Sequence, residues 1–276
     1  MLFHERARLP RGFSCTGRNC GIKPSEPDLA LFASDVPAQA AALFTRNHFP
    51  GAPIVVGRER AARGLLQAVV ANSKVSNVAT GEQGLDDARR MGRAAARELG
   101  IAEELVLMSS TGVIGRRLPI EKIEAGLAGI SSALGDDLEL AARGIMTTDT
   151  YSKTLSLDVG GATIAAVGKG AGMIAPNLAT MLVFIFTDAD ISASELRPLL
   201  AAAASQSFQC LSVDTDTSTS DTVVLLANGR AGAVDTREFA AALNAPSLRW
   251  LQVFNAGVDH PDHARARRHA PCDGVE

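Results

Sequence analysis

The sequence predicts an α/β protein of mixed sheets with packed helices, and two observations carry that prediction. Short apolar runs rich in Val, Ile, Leu and Phe alternate with Ala- and Arg-rich stretches of helical period. At 276 residues, 46% apolar and 21% charged, the chain can also bury a sizeable core and has the make-up of a globular protein.

The runs that read as strands are Ala30–Ala33, Gln67–Ala71, Leu105–Ser109, Thr163–Val167, Met181–Thr187 and Thr222–Ala227, most of them bounded by Gly, Asn, Asp or Thr. Three helices follow from spacing. Over Leu85–Leu99, residues Leu85, Ala88, Met91, Ala95 and Leu99 recur at helical period, with Asp86 and Asp87 early and Arg97 late, as the helix dipole favours. A second helix spans Pro119–Leu134, with Pro119 in the first turn. A third spans Ser192–Phe208, where Ser192 and Glu195 have the spacing of a capping box. After Leu251 periodicity ends; the stretch to Glu276, with His260, His263 and His269, reads as a disordered tail rather than a metal cluster.

Composition and failed motifs narrow the function. A net charge of −3 and 4% aromatic residues argue against a nucleic-acid binder, which needs a basic surface and stacking rings. No signal core and no stretch near the roughly 18 apolar residues of a membrane helix is present, so the chain reads as cytoplasmic. Cys15 and Cys20 have half-site spacing without a second pair, and no metal is expected. The run Val167–Met173 fails as a phosphate loop, because Gly170 follows Lys169 and the glycine spacing is wrong. Asp214–Asp221 fails as a calcium loop: Thr219 and Leu225 stand where Gly and Glu are required. Outside the tail only His4 and His48 could serve a Ser-His-Asp triad, and neither lies near a nucleophile motif.

A hydroxyl can be activated without histidine when a Thr becomes N-terminal, since its own α-amine, of pKa about 7.7–8.0, then serves as base. Lys169–Ala189, KGAGMIAPNLATMLVFIFTDA, suits that chemistry: a Gly-rich turn leads through Pro176 and Asn177 to Ala179-Thr180 and directly into an apolar strand. By itself, a Thr opening a strand is just a strand residue. KGAGMIAPNLATML, however, resembles the self-cleavage motif of the ornithine acetyltransferases, or glutamate N-acetyltransferases. PRGFSCTG, DLALFASDVPAQAAALFTRN, MSSTGVIGRRLP, IMTTDT and SFQCLSVDTDTSTSDTVVLLANG resemble further family segments in the same order, covering roughly residues 10 to 245.

The resemblance implies an N-terminal-nucleophile-like sandwich and an enzyme of arginine biosynthesis. Cleavage between Ala179 and Thr180 would divide it into residues 1–179 and 180–276, and Thr180 would be the nucleophile. It implies an oxyanion hole from the Thr111 hydroxyl and the Gly112 amide; one such donor is typically worth about 2.7–4 kcal/mol. Thr147 and Lys169 match substrate-contacting positions, with Lys169 meeting a carboxylate as a point charge. No catalytic role falls to Asp214–Asp221. The implied reaction moves acetyl from N-acetylornithine to glutamate through an acetyl-threonine, with no cofactor, in a heterotetramer of two cleaved chains.

Two departures stand out. The Gly-rich acidic motif and the C-terminal Asn and Thr/Ser contacts of the family's later half are not found in residues 246–276, as a frameshift or truncation would produce. Lys74, Val75 and Ser76 also replace the family's usual small and Asn residues. The alternatives are a small-amide hydrolase of related type and an inactive remnant.

Overall fold

The protein is described by a computed structural model over residues 2–170, 181–207 and 217–244. Its strands form one mixed sheet: β1 (Leu2–Phe3), β2 (Phe13–Arg18), β3 (Leu29–Phe44), β4 (Leu65–Asn72), β5 (Val106–Ser110), β6 (Lys153–Val159), β7 (Ala162–Lys169), β8 (Leu182–Asp190) and β9 (Thr222–Ala233). The order is β1-β6-β7-β8-β9-β3-β4-β5, with β2 paired to β3. β4–β5 and β8–β9 run parallel; the other pairs are antiparallel.

Alternate side chains of β3 feed different clusters, as strand geometry requires. Leu29 and Leu31 join the apolar layer made with helices α1 (Ala52–Ala61), α2 (Gly81–Leu99) and α3 (Ile120–Leu127). Ala30 and Phe32 pack instead with Phe184, Phe186 and helix α4 (Leu138–Ile145). Phe32 stacks on Phe186 with centroids 5.2 Å apart and meets Phe184 edge-on at 5.5 Å. A third cluster joins β6–β9 to α5 (Ala193–Ser205) and a helical stretch over 236–244.

Every expected strand is present, but β3 is far longer than Ala30–Ala33. The polar run after Ala33 and Pro37 masked its continuation. Pairing to β4 slips between Ala33 and Ala38, the irregularity at which a strand tolerates a proline. The expected helix Pro119–Leu134 divides into α3 and a short 3-10 turn at Ile130–Ala133. Gly129, at φ 66, turns the chain left-handed between them. Pro119 stands before the first turn, not in it: its carbonyl accepts the amides of Lys122 and Ile123 at 3.0 and 3.3 Å. α5 begins at Ala193 with Ser192 as its cap, and both bonds of the capping box form. The third helix ends at Ser205, short of Phe208, which lies outside the described residues. The stretch from Leu251 to Glu276 also lies outside them.

Candidate active site

Three strand termini meet in one row. Lys169 ends β7 opposite Leu182, which begins β8, and Leu182 pairs in turn with Thr222, the first residue of β9. This register places Lys169, Met181 and Asp221 side by side. Lys169 is 2% exposed and Asp221 is fully buried. The Met181 amide donates to Asp221 Oδ1 at 3.0 Å. Asp221 Oδ2 is buried without a well-formed hydrogen bond among the described residues, and the Ser218 hydroxyl is the side-chain donor that acts on the carboxylate.

Asp149 organises the other side of Lys169. Its Oδ1 accepts from Lys153 Nζ at 2.7 Å and from the Gly170 amide at 2.9 Å; its Oδ2 accepts from the Thr147 amide at 3.3 Å. The Lys153 ammonium also lies over the Tyr151 ring, 4.6 Å from its centroid. One buried carboxylate therefore ties the turn carrying Thr147 to the end of β7.

Burial and charge set the titration of the cluster. Burial pushes the Lys169 ammonium down to about 8, although Asp149 and Asp221 favour its charged form. Burial pushes the Asp221 carboxyl up to about 6, opposed by its bond from the Met181 amide, by the Ser218 hydroxyl and by Lys169. For Asp149, burial acts upward, but the charge and hydrogen bond of Lys153, the Gly170 amide and Lys169 outweigh it and hold the carboxyl below its ordinary value. The site thus keeps buried charges at neutral pH.

The second part lies at the C-terminal ends of the parallel pair β4–β5. Thr111 follows β5, is 2% exposed, and donates its amide to Asn72 O at 3.1 Å. Among the described residues its hydroxyl has no hydrogen-bond partner. Gly112 adopts φ 133, and a Cβ there would lie 2.2 Å from the Lys74 carbonyl carbon and 2.3 Å from its oxygen. Those atoms are backbone, so only glycine fits. The opposing loop is itself bent: Lys74, Asn77 and Ala79 have φ of 82, 54 and 60, a concentration of left-handed non-glycine residues typical of functional sites. It is held by Val113 N to Lys74 O at 3.0 Å and by Asn72 Nδ2 to Val75 O at 2.9 Å.

Hydrogen bonds couple the two parts. Ser73 Oγ donates to Gly144 O at 2.8 Å, just ahead of Thr147. Ala52 N donates to Asn77 O at 3.1 Å, and Gly51 N to Thr219 O at 2.9 Å, just ahead of Asp221. Thr147 and Lys169 are thus brought together around Asp149, and the Thr111–Gly112 turn is tied to them through the 72–79 loop. No hydrogen bond among the described residues joins Thr111 or Gly112 directly to Lys169. Ala179 and Thr180 lie outside the described residues. Asp149 and Asp221 escaped sequence reasoning. Asp149 sits inside the quoted segment IMTTDT, and Asp221 immediately precedes an apolar strand, where an acidic residue reads as a turn.

Two other constellations are structural. Ser156 Oγ lies 2.7 Å from His4 Nδ1, and His4 Nε2 lies 3.0 Å from Asp158 Oδ2, a Ser-His-Asp contact absent from sequence expectation. Ser156 is fully buried and its hydroxyl also accepts the Arg8 amide at 2.9 Å. The contact therefore fastens β1 to β6 and leaves no room for a substrate. Cys15 and Cys20 both have thiols pushed up to about 12, chiefly by burial, which opposes the thiolate a metal needs.

Residues 14–250 match the model of the ArgJ family. The chain belongs to the ArgJ family. It is 49% identical over 235 residues to arginine biosynthesis bifunctional protein ArgJ 2 of Nostoc sp., covering 85% of this chain and 61% of that one. It is 43% identical over 243 residues to the glutamate N-acetyltransferase Oat2 of Streptomyces clavuligerus, covering 87% and 62%. The chain therefore spans about 60% of the length of these ArgJ relatives. Among solved structures, an ArgJ protein of Bacillus halodurans matches with TM-score 0.57 and 36% identity, covering 66% of this chain and 97% of that one. The ornithine acetyltransferase of Mycobacterium tuberculosis, complexed with ornithine, matches with TM-score 0.59 and 32% identity, covering 66% and 99%. A Burkholderia β-aminopeptidase at 13% identity and TM-score 0.54 shares the fold alone.

Proposed function

We propose that this ArgJ chain cuts itself between Ala179 and Thr180 and transfers acetyl from N-acetylornithine to glutamate through Thr180. The observation that carries the reading is the buried row of Lys169, Asp149, Lys153 and Asp221, assembled beside the amide of Met181, the residue that follows Thr180. Lys169 meets the substrate carboxylate, and the turn bearing Thr147 lines the same pocket, stapled by Asp149. The Thr111 hydroxyl and Gly112 amide receive the oxyanion that forms when Thr180 attacks the acetyl carbonyl. The α-amine of Thr180 takes the hydroxyl proton and returns it to the leaving ornithine amine, so donor and acceptor steps need the same base. Each half-reaction exchanges an amide for the threonine ester or the reverse.

The solved relatives lend support to the division at residue 180. Two thirds of this chain accounts for nearly the whole of each solved chain, and residues 1–179 make up about that share of 276. The two fragments, paired into a heterotetramer, form the proposed enzyme.

Intact mass measurement of the purified protein beside Thr180→Ala tests the reading. Two fragments in the parent and one chain in the variant are expected, followed by acetylornithine turnover that needs glutamate. A single chain in both overturns it. Turnover equally fast without glutamate replaces transfer with amide hydrolysis.

A further inference from the structure

Lys74 is both strained and uncompensated. Its backbone sits at φ 82, a conformation that glycine adopts freely and an L side chain does not. Its side chain is exposed, and among the described residues the ammonium has no hydrogen bond or ion pair. Its charge instead reaches a second ammonium, that of Lys23. Burial is the largest cause holding Lys23 below its ordinary value, and Lys74 acts in the same direction, against Asp28, Glu26 and Asp149. Like charges in one place, on a backbone that resists its own side chain, call for an anion.

The residue stands where the two parts of the site join. The Lys74 carbonyl accepts the Val113 amide at 3.0 Å, and its carbon is the atom that bars a Cβ from Gly112. One residue earlier, Ser73 Oγ donates to Gly144 O at 2.8 Å, and Lys23 Nζ donates to Met146 O, just before Thr147, also at 2.8 Å. Lys74 is thus bracketed by the Thr111–Gly112 turn and the turn bearing Thr147. The other cations there have carboxylates beside them: Lys153 is bonded to Asp149, Lys169 is faced by Asp149 and Asp221, and Lys23 by Asp28 and Glu26. We infer that Lys74 is a specificity-determining residue whose ammonium receives the second carboxylate of a dicarboxylate acceptor. This rests on the reading of acetyl transfer to glutamate and deepens it. Lys169 takes the carboxylate that donor and acceptor share; Lys74 takes the one that glutamate has and N-acetylornithine lacks. The ornithine chain ends instead in an ammonium, which Lys74 repels, so one charge favours the exit of ornithine and the entry of glutamate.

The experiment is Lys74→Gly in the full chain, beside the parent and Lys74→Arg. Glycine accepts φ 82, so Lys74→Gly is expected to melt at or above the parental temperature. Acetyl transfer is measured to glutamate and to glutamine, which keeps the shape and the shared carboxylate but lacks the second charge. The preference for glutamate, as a ratio of kcat/KM values, is expected to fall about tenfold in Lys74→Gly and to return to within about threefold of the parent in Lys74→Arg. A loss that falls equally on both acceptors, or an unmoved preference, overturns the inference while leaving acetyl transfer in place. A parent that transfers nothing sinks the reading of function instead, and binding then decides the role of Lys74. Glutamate and glutamine are titrated calorimetrically into uncut Thr180→Ala, with and without Lys74→Gly. Glutamate held about tenfold more weakly by the double variant, with glutamine held alike by both, supports the assignment. Equal glutamate affinity in the two proteins, or no glutamate binding by either, overturns it.

Discussion

Lys169→Met should make the protein more stable and less active. The ammonium sits 2% exposed, and burial lowers it from 10.5 to about 8. That difference corresponds to about 3 kcal/mol by which the folded chain disfavours the charge relative to the unfolded chain. Methionine removes the charge and fills a similar volume. The attraction of Asp149 and Asp221 for the ammonium is already contained in that value, so no separate loss is subtracted for it. The net expectation is about 3 kcal/mol, or roughly 6–12 °C in melting temperature for a chain of this size. The folded value lies below the unfolded one, so the penalty is fully present below about pH 8. Between there and about 10.5 the unfolded chain binds more protons, and parental stability rises with pH. The advantage of the variant should therefore shrink by about half near pH 9.5. Denaturant unfolding of both proteins in a Thr180→Ala background compares one intact chain with another. A variant less stable than its parent by about 1 kcal/mol or more at pH 7, or an advantage independent of pH, would refute the reasoning. Acetylornithine should meanwhile bind far more weakly, the opposite movement expected of a buried charge retained for function.

Gly112→Ala places a Cβ 2.2 Å from the Lys74 backbone at φ 133. It should lose about 3 kcal/mol or more of stability, or shift the 72–79 loop, with transfer activity falling at least about a hundredfold; urea unfolding and turnover report the two effects separately. Ser192→Ala removes the side-chain half of the capping box at α5, the bond from the Glu195 amide to Ser192 Oγ, and leaves the Ser192 amide on Glu195, far from Lys169 along the chain. It should cost about 1 kcal/mol in unfolding measurements and leave kcat/KM unchanged.

What the sequence made legible follows from how local each signal is. α2 and α5 are readable because a polar face alternates with a buried one and because a cap announces the start of α5. α1 is not: seven of its residues are buried, Arg60 among them, so no polar stripe marks its period. Arg60 is accommodated by donating to Val106 O at 2.6 Å, a partner 46 residues away that no local pattern reveals. The site divides in the same way. Thr111, Gly112, Thr147 and Lys169 stand in segments long enough to be matched, so their positions could be assigned one by one. Asp149 and Asp221 gain their roles from partners across the sheet, the amides of Gly170 and Met181. Such partners are fixed by register rather than by spacing.

The strand order carries a kinetic consequence. β8 and β9 lie between β7 and β3, so a cut in the β7–β8 connection separates two polypeptides whose strands remain interleaved: β8 stays paired to β7 over Ile164–Lys169, and β9 to β3 over Gln39–Phe44. Before the cut, unfolding is a first-order process on one molecule. Afterwards the same loss of structure is a dissociation, and its midpoint should depend on protein concentration, while recovery requires two chains to meet. Neither piece takes the whole sheet with it: the first loses the strands that bridge β7 to β3, and the second, among the described residues, keeps a parallel pair whose two edges lose their partners β7 and β3. The cut would thus act as a ratchet, leaving the assembled form intact while making reassembly from dilute fragments slow.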